Sequence, residues 1–337
     1  MIRVAMISFW HVHARDYARQ ANENPNTEIV AAWDEEPERG RARAEALGVR
    51  YYENLAELLA QPDIDGVIIG TPTSMHREVI SVAARAGKHI FTEKVIAPTV
   101  RESDEILAAI EQAGVKLTVS LPRLNDSYTL AVQEILARKA LGELTLVRSR
   151  LSHNGAITTP ESPHGWLPEH FFNLEQCGGG ALIDLGCHPM YLTRLFLGLP
   201  TSVSANFGYV TGRAVEDNAV AVLNYPQGAL GVVEAGFVNR YSPFTIEIHG
   251  TEGSLFYGTP EDKLYLRSAV TGIKEWTVQP EFPPRHPMAF EQWVGHIQEG
   301  TTATQNIQLA RDLTALMEAS NISARTKQAV RLDSLAR

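Results

Sequence analysis

The 337 residues are more than one compact domain usually holds and suit two. With 44% hydrophobic and 20% charged residues the chain can bury a full core, and a formal net charge of −9 argues against a nucleic-acid partner, which would need a basic face. No apolar run approaches the roughly 20 residues that cross a bilayer, the N-terminus lacks a signal-peptide pattern, and Cys177 and Cys187 form no CxxC, so no membrane, disulfide scaffold or cysteine-based zinc site is expected and a cytoplasmic location is.

In the first 120 residues, short apolar runs alternate with amphipathic segments. The runs 3–7, 28–33, 66–69, 88–91 and 116–120 are too apolar for a sheet with one wet face and read as buried strands. Between them helices are expected over 13–22, 37–47, 55–61, 76–86 and 100–112. Pro37 suits a first helical turn, and Gly48, Gly87 and Gly114 sit where helices end. Strand and helix alternating at this spacing imply parallel pairing, hence a doubly wound α/β sheet of the Rossmann type whose ligand site lies beyond the C-terminal strand ends.

After residue 122 the texture changes. A helix over 128–140 leads to a strand over 143–151, and strands recur over 202–210, 218–225, 229–237, 245–249, 254–257 and 263–267. The reading is a nucleotide-binding domain over 1–122 and an α+β domain over 123–337 with a large, mainly antiparallel open sheet. The helix over 305–326 is free to pack back on the first domain. Alternation at Val220, Val222 and Val232 would expose apolar surface in a monomer, so a homodimer or homotetramer through that sheet is expected.

Two positions carry chemistry by placement. Asp34 ends the second strand, where a dinucleotide site needs an acceptor for ribose hydroxyls; a carboxylate there favours NAD and repels the 2′-phosphate of NADP. It is equally a solvated acid beside Glu35 and Glu36. The spacing Asp184-x-x-x-His188 places a carboxylate and an imidazole one turn apart, after Gly178-Gly179-Gly180, where backbone can approach a ligand. Hydride transfer from an alcohol needs such a base, yet i,i+4 polar pairs are also common surface features. The remaining histidines His153, His286 and His296 lack metal spacing, and no metal is expected.

In order and spacing, several segments together resemble the Gfo/Idh/MocA family of nicotinamide-dependent oxidoreductases. They are Asp34, Gly70-Thr71-Pro72-Thr73 with His76, Gly87 through Lys94, Gly178 through His188, Glu216-Asp217-Asn218 and His249 through Ser254. The resemblance runs nearly end to end. It implies alcohol–carbonyl redox on sugars or polyols, with Lys94, Asp184 and His188 converging on the substrate: His188 as acid–base, Asp184 as its orienter and a substrate acceptor, Lys94 as polariser of the oxygen. It places Thr71, Pro72, Thr73, His76, Glu93 and Lys94 at the cofactor. Thr73 also reads as the N-cap of the following helix, and His76 as a structural hydrogen-bonder. Arg123 matches a commonly basic position and reaches either substrate or an interdomain ion pair. Tyr191 stands where many relatives have an aspartate, which weakens an inositol-like reading. His164 and Trp166, in a His-, Trp- and Pro-rich segment, suit a sugar face or simply pack.

The departure is the first loop. Where the family has a glycine-rich turn, this chain reads Ser8-Phe9-Trp10-His11-Val12-His13. Ser8 and His11 can still bind phosphate, while Phe9 and Trp10 either line the cofactor or pack beneath the loop. The loss motivates a second reading, a non-catalytic cofactor- or sugar-sensing protein of the same fold. A redox-assisted glycosidase or lyase is a third.

Overall fold

The computed structural model describes residues 1–335. The chain divides into two compact units, 1–122 with 287–311, and 123–286 with 312–335. The second unit is therefore interrupted, whereas the sequence reading runs it unbroken from 123.

The first unit follows the order β1 (Ile2–Ile7), α1 (Ala14–Glu23), β2 (Thr27–Trp33), α2 (Pro37–Leu47), β3 (Arg50–Tyr51), α3 (Leu55–Leu59), β4 (Gly66–Ile69), α4 (His76–Arg85), β5 (His89–Thr92), α5 (Val100–Ala113) and β6 (Leu117–Val119). Its six-stranded sheet runs β3-β2-β1-β4-β5-β6 with every pairing parallel. This is the doubly wound order whose switch point lies between β1 and β4. Gly48 and Gly114 end α2 and α5 in the left-handed conformation, as their chemistry suggests. Thr73 does not cap α4. It opens a 3₁₀ turn, Thr73–Met75, and the helix starts after Met75 with no side-chain cap.

A helix over Ala289–Glu299 completes this core. Its Trp293 is wholly buried, 6.0 Å from Phe91 and against Gly66, where an added Cβ would lie 2.9 Å from the indole. The helix Thr304–Thr326 contributes its first residues to the same unit: Asn306 exchanges both hydrogen bonds with the Val119 backbone, and Arg311 forms a two-pronged pair with Asp104.

The second unit contains α6 (Ser127–Ala137), β7 (Leu144–Ser152), α7 (Leu174–Cys177), α8 (Cys187–Leu197) and β8 (Ser202–Gly208). There follow β9 (Asn218–Asn224), β10 (Leu230–Gly236), β11 (Thr245–Gly250), β12 (Gly253–Gly258), β13 (Lys263–Ser268), β14 (Ile273–Val278) and β15 (Val330–Arg331). Nine strands form one sheet in the order β14-β13-β12-β11-β7-β10-β9-β8-β15. All pairs are antiparallel except β7 with β10. One face carries Val220, Val222, Leu230 and Val232 with the Arg148–Glu234 ion pair, all at least partly exposed.

Candidate active site

In the first unit, the loop after β1 turns without glycine. Ser8 itself adopts φ 72, the left-handed region that a glycine would take without strain. Local bonds hold it there. Its N–H donates to the Trp33 carbonyl at 2.7 Å, and its hydroxyl accepts the Trp10 N–H at 3.0 Å. Trp10 is buried and Phe9 packs on the core. Asp34, expected at the ribose, is also tied into this loop. Its carboxylate is enclosed, accepting the Phe9 N–H at 2.8 Å, the Glu36 N–H at 2.8 Å and the Arg39 guanidinium at 2.7 Å. A carboxylate has about four lone-pair sites, and these contacts fill them. Asp34 builds the loop, while Glu36 is the acid that faces solvent there.

At the ends of β4 and β5, Thr71 is buried and its hydroxyl lacks a hydrogen-bond partner among the described residues. The wholly buried His76 bridges the two strand ends, with Nδ1 2.9 Å from the Val95 carbonyl and Nε2 3.2 Å from that of Thr71. Burial lowers its pKa, against the two carbonyls that favour the protonated ring. Lys94 and Glu93 are both buried. Glu93 Oε1 accepts the Lys94 N–H at 3.0 Å. Its Oε2 faces His13 Nδ1 at 3.0 Å, His11 Nδ1 at 3.4 Å and the Tyr17 hydroxyl. Burial alone would raise the Glu93 pKa; His11, His13 and Lys94 outweigh it and hold the carboxyl well below the usual range. Sequence reasoning placed His11 and Glu93 at the cofactor but overlooked His13 and Tyr17, whose only signal was the His-x-His spacing.

In the second unit, Gly178 ends α7 in the left-handed conformation, while Gly179 and Gly180 lie close against neighbouring residues. A Cβ on Gly180 would drive into the Glu216 carbonyl oxygen. That close approach lets the buried Glu216 carboxylate accept the N–H groups of Gly180 at 2.8 Å and Leu182 at 2.9 Å. A π-helical turn, Leu182–Gly186, follows and runs into α8. It carries Asp184, and His188 sits in the first turn of α8.

His188 is buried, with Nδ1 3.1 Å from the Tyr191 hydroxyl. That hydroxyl accepts the Arg123 N–H at 3.0 Å. Tyr191, expected at the substrate, is 0% exposed and meets His188 directly. Burial holds its phenol well above the ordinary pKa of 10. The Arg123 side chain lies 4.3 Å over Phe244 and donates to Tyr128 at 3.1 Å.

Sequence reasoning overlooked His153, which follows β7. Its ring stacks on Phe237 at 5.1 Å and meets the exposed Trp166 at 4.6 Å. Burial lowers its pKa, and the nearby charge of Asp184 partly restores it. His164 is exposed, and its carbonyl accepts from Arg213 at 2.6 Å.

These two constellations have counterparts. Residues 2–121 match the model of an oxidoreductase family with an NAD-binding Rossmann fold, and residues 129–256 match the GFO/IDH/MocA C-terminal domain. The scyllo-inositol 2-dehydrogenase (NAD(+)) of Bacillus subtilis is 30% identical over 286 residues, spanning 82% of this chain and 79% of that protein. The chain belongs to the Gfo/Idh/MocA oxidoreductase family. A further Gfo/Idh/MocA relative, the 1,5-anhydro-D-fructose reductase of Ensifer adhaerens, is 28% identical over 246 residues and covers 72% of each chain. The fold is also similar to that of levoglucosan dehydrogenase solved with NADH and levoglucosan, with a TM-score of 0.81, 22% identity and coverage of 98% and 99%.

This Gfo/Idh/MocA member is thus an oxidoreductase with an NAD-binding Rossmann domain, and the non-catalytic alternative is not favoured. Its own residues fit a nicotinamide dinucleotide in two respects: the strand order sets a switch point between β1 and β4, and the buried Thr71 hydroxyl at the end of β4 lacks a partner among the described residues. Among the described residues, no helix is long and apolar enough to cross a membrane.

Proposed function

We propose that this chain transfers a hydride between NAD and a hydroxyl-bearing carbon of a sugar, polyol or related compound. His188 serves as acid–base group, Lys94 as the ammonium that stabilises the alkoxide, and Asp184 as an acceptor of substrate hydroxyls. When bound, the nicotinamide supplies or accepts the hydride. The observation that carries the reading is the buried relay Arg123 N–H, Tyr191 hydroxyl, His188 Nδ1. A neutral phenol both donates and accepts. It donates to Nδ1 when His188 carries its proton on Nε2, and accepts from Nδ1–H when Nε2 acts as base. It therefore supports the ring in both halves of a proton transfer.

NAD rather than NADP is supported by charge. Asp34, Glu35 and Glu36 surround the single Arg39, and the net negative end repels a 2′-phosphate. The partly exposed apolar face of the nine-stranded sheet supports a homodimer or homotetramer assembled through it.

The test is calorimetric titration with the four nicotinamide dinucleotides, followed by a panel of sugars and polyols. NAD or NADH should bind more tightly than the phosphorylated forms. On any substrate turned over, His188→Ala should lower kcat by about 10²–10⁴-fold. Turnover unchanged in Lys94→Ala would refute the assignment.

A further inference from the structure

Glu93 Oε2 is crowded in a way that hydrogen bonding alone explains poorly. His13 Nδ1 at 3.0 Å, His11 Nδ1 at 3.4 Å and the Tyr17 hydroxyl all face this one oxygen. Tyr17, wholly buried with its pKa raised by that burial, is a neutral phenol and donates. His11 Nδ1 also receives the His13 backbone N–H at 3.2 Å, so it presents a lone pair rather than a proton. That single lone pair serves either the His13 N–H or a cation lying between it and Glu93 Oε2, 3.4 Å away.

The distances suit such a charge. Zinc-type bonds to imidazole nitrogen and carboxylate oxygen are about 2.0–2.2 Å, so neighbouring ligand atoms stand about 2.9 Å apart at right angles and about 3.4 Å apart at tetrahedral angles. The two measured separations, 3.0 and 3.4 Å, fall in that range. Ligand atoms from all three residues lie within 4.8 Å of one another. His11 sits in the loop after β1, His13 caps α1 and Glu93 follows β5, so three elements of one rigid sheet edge fix them.

We infer that His11, His13 and Glu93 form a site for a divalent first-row transition cation. Two imidazoles and one carboxylate are a ligand set for zinc, cobalt or ferrous iron that leaves coordination positions for water or a ligand oxygen. Tyr17 is the positioning residue: its hydroxyl donates to the same Glu93 Oε2 and fixes where that oxygen points. The His13 side chain is 41% exposed, which gives the ion a way in from solvent. The sequence expectation of no metal rested on the other histidines and overlooked this pair, because its third member lies 80 residues further on.

The experiment is titration of the full chain, stripped with EDTA, with Co²⁺, followed by displacement with Zn²⁺. Expected is one equivalent of Co²⁺ with visible d–d bands of four- or five-coordinate metal, abolished by Zn²⁺. Loss of a residue behind a metal ligand typically weakens metal affinity about 10–100-fold. Tyr17→Phe should fall in that range, and His13→Ala, which removes a ligand, should exceed it. Partly exposed His13 is the variant that best preserves the fold, and circular dichroism checks it. Binding below one equivalent without d–d bands, or bands unchanged in His13→Ala, would overturn the site and leave a hydrogen-bonded histidine–glutamate cluster. Metal is read directly, so the outcome does not depend on the dehydrogenase reading.

Discussion

Glu216 offers the most quantitative test of the second unit. Burial pushes its carboxyl up to about 7 from 4.5, although the N–H groups of Leu182 and Gly180 favour the ionised form. A proton is therefore held more tightly in the native chain than in the unfolded one. The sign follows: the contribution is fully present below about pH 4.5 and is lost as pH rises through about 7. At about 1.4 kcal/mol per pKa unit, the loss amounts to about 3 kcal/mol. Glu216→Gln removes the titration while keeping the shape. Its amide oxygen accepts only one of the two N–H groups, so the variant should be less stable than wild type in acid by about 1–3 kcal/mol. By about pH 8 that deficit should vanish or reverse. The assay is urea unfolding of both proteins between about pH 5 and 8, read as the difference at each pH. Taking the difference cancels the opposite trend of His76 and His153, whose lowered pKa values make stability rise with pH. A stability difference that stays flat across that window would refute the account of a buried, reluctantly ionised carboxylate.

Two further outcomes follow from single contacts. Tyr191→Phe should lower kcat about 10–100-fold with little change in KM and shift the pH profile, because His188 loses its Nδ1 partner while the ring remains; a wild-type profile would show that the relay does not orient the base. Trp293→Ala should destabilise the first unit by about 3–5 kcal/mol, whereas Trp293→Phe should be much milder, since the buried indole N–H has no hydrogen-bond partner among the described residues. Thermal melting checks both, and equal losses would argue against a packing role.

What was legible in the sequence was local. Pro37, Gly48 and Gly114 announce the ends of α2 and α5 through their own backbone preferences, and the apolar runs of β1, β4 and β5 announce a sheet buried on both faces. Alternation made most of the second sheet visible in the same way. β14 escaped because it is exposed and its apolar residues Ile273, Trp276 and Val278 do not alternate cleanly, and the helix Ala289–Glu299 because no capping signal opens it. The site was legible only in its residue types. That Asp184 sits near His153, that the Arg123 N–H reaches the Tyr191 hydroxyl behind His188, and that Gly180 makes room for Glu216 all depend on contacts across tens of residues. No spacing rule encodes those contacts; they are set by the register of strands and the course of loops.

The glycine-free loop shows how one substitution of backbone chemistry propagates. A non-glycine residue in the left-handed region costs on the order of 1–2 kcal/mol, and Ser8 adopts it at φ 72. The strain is offset by anchors that a glycine turn would not need: the Trp33 carbonyl, the Ser8 hydroxyl itself and the Asp34 carboxylate. Asp34 is thereby tied into the loop, and Arg39 pairs with it as its counter-ion. The same turn brings His11 and His13 onto Glu93, placing imidazole side chains where a glycine loop would offer backbone N–H groups. The anchored turn at Ser8 and the histidines gathered on Glu93 are therefore two consequences of one glycine-free loop.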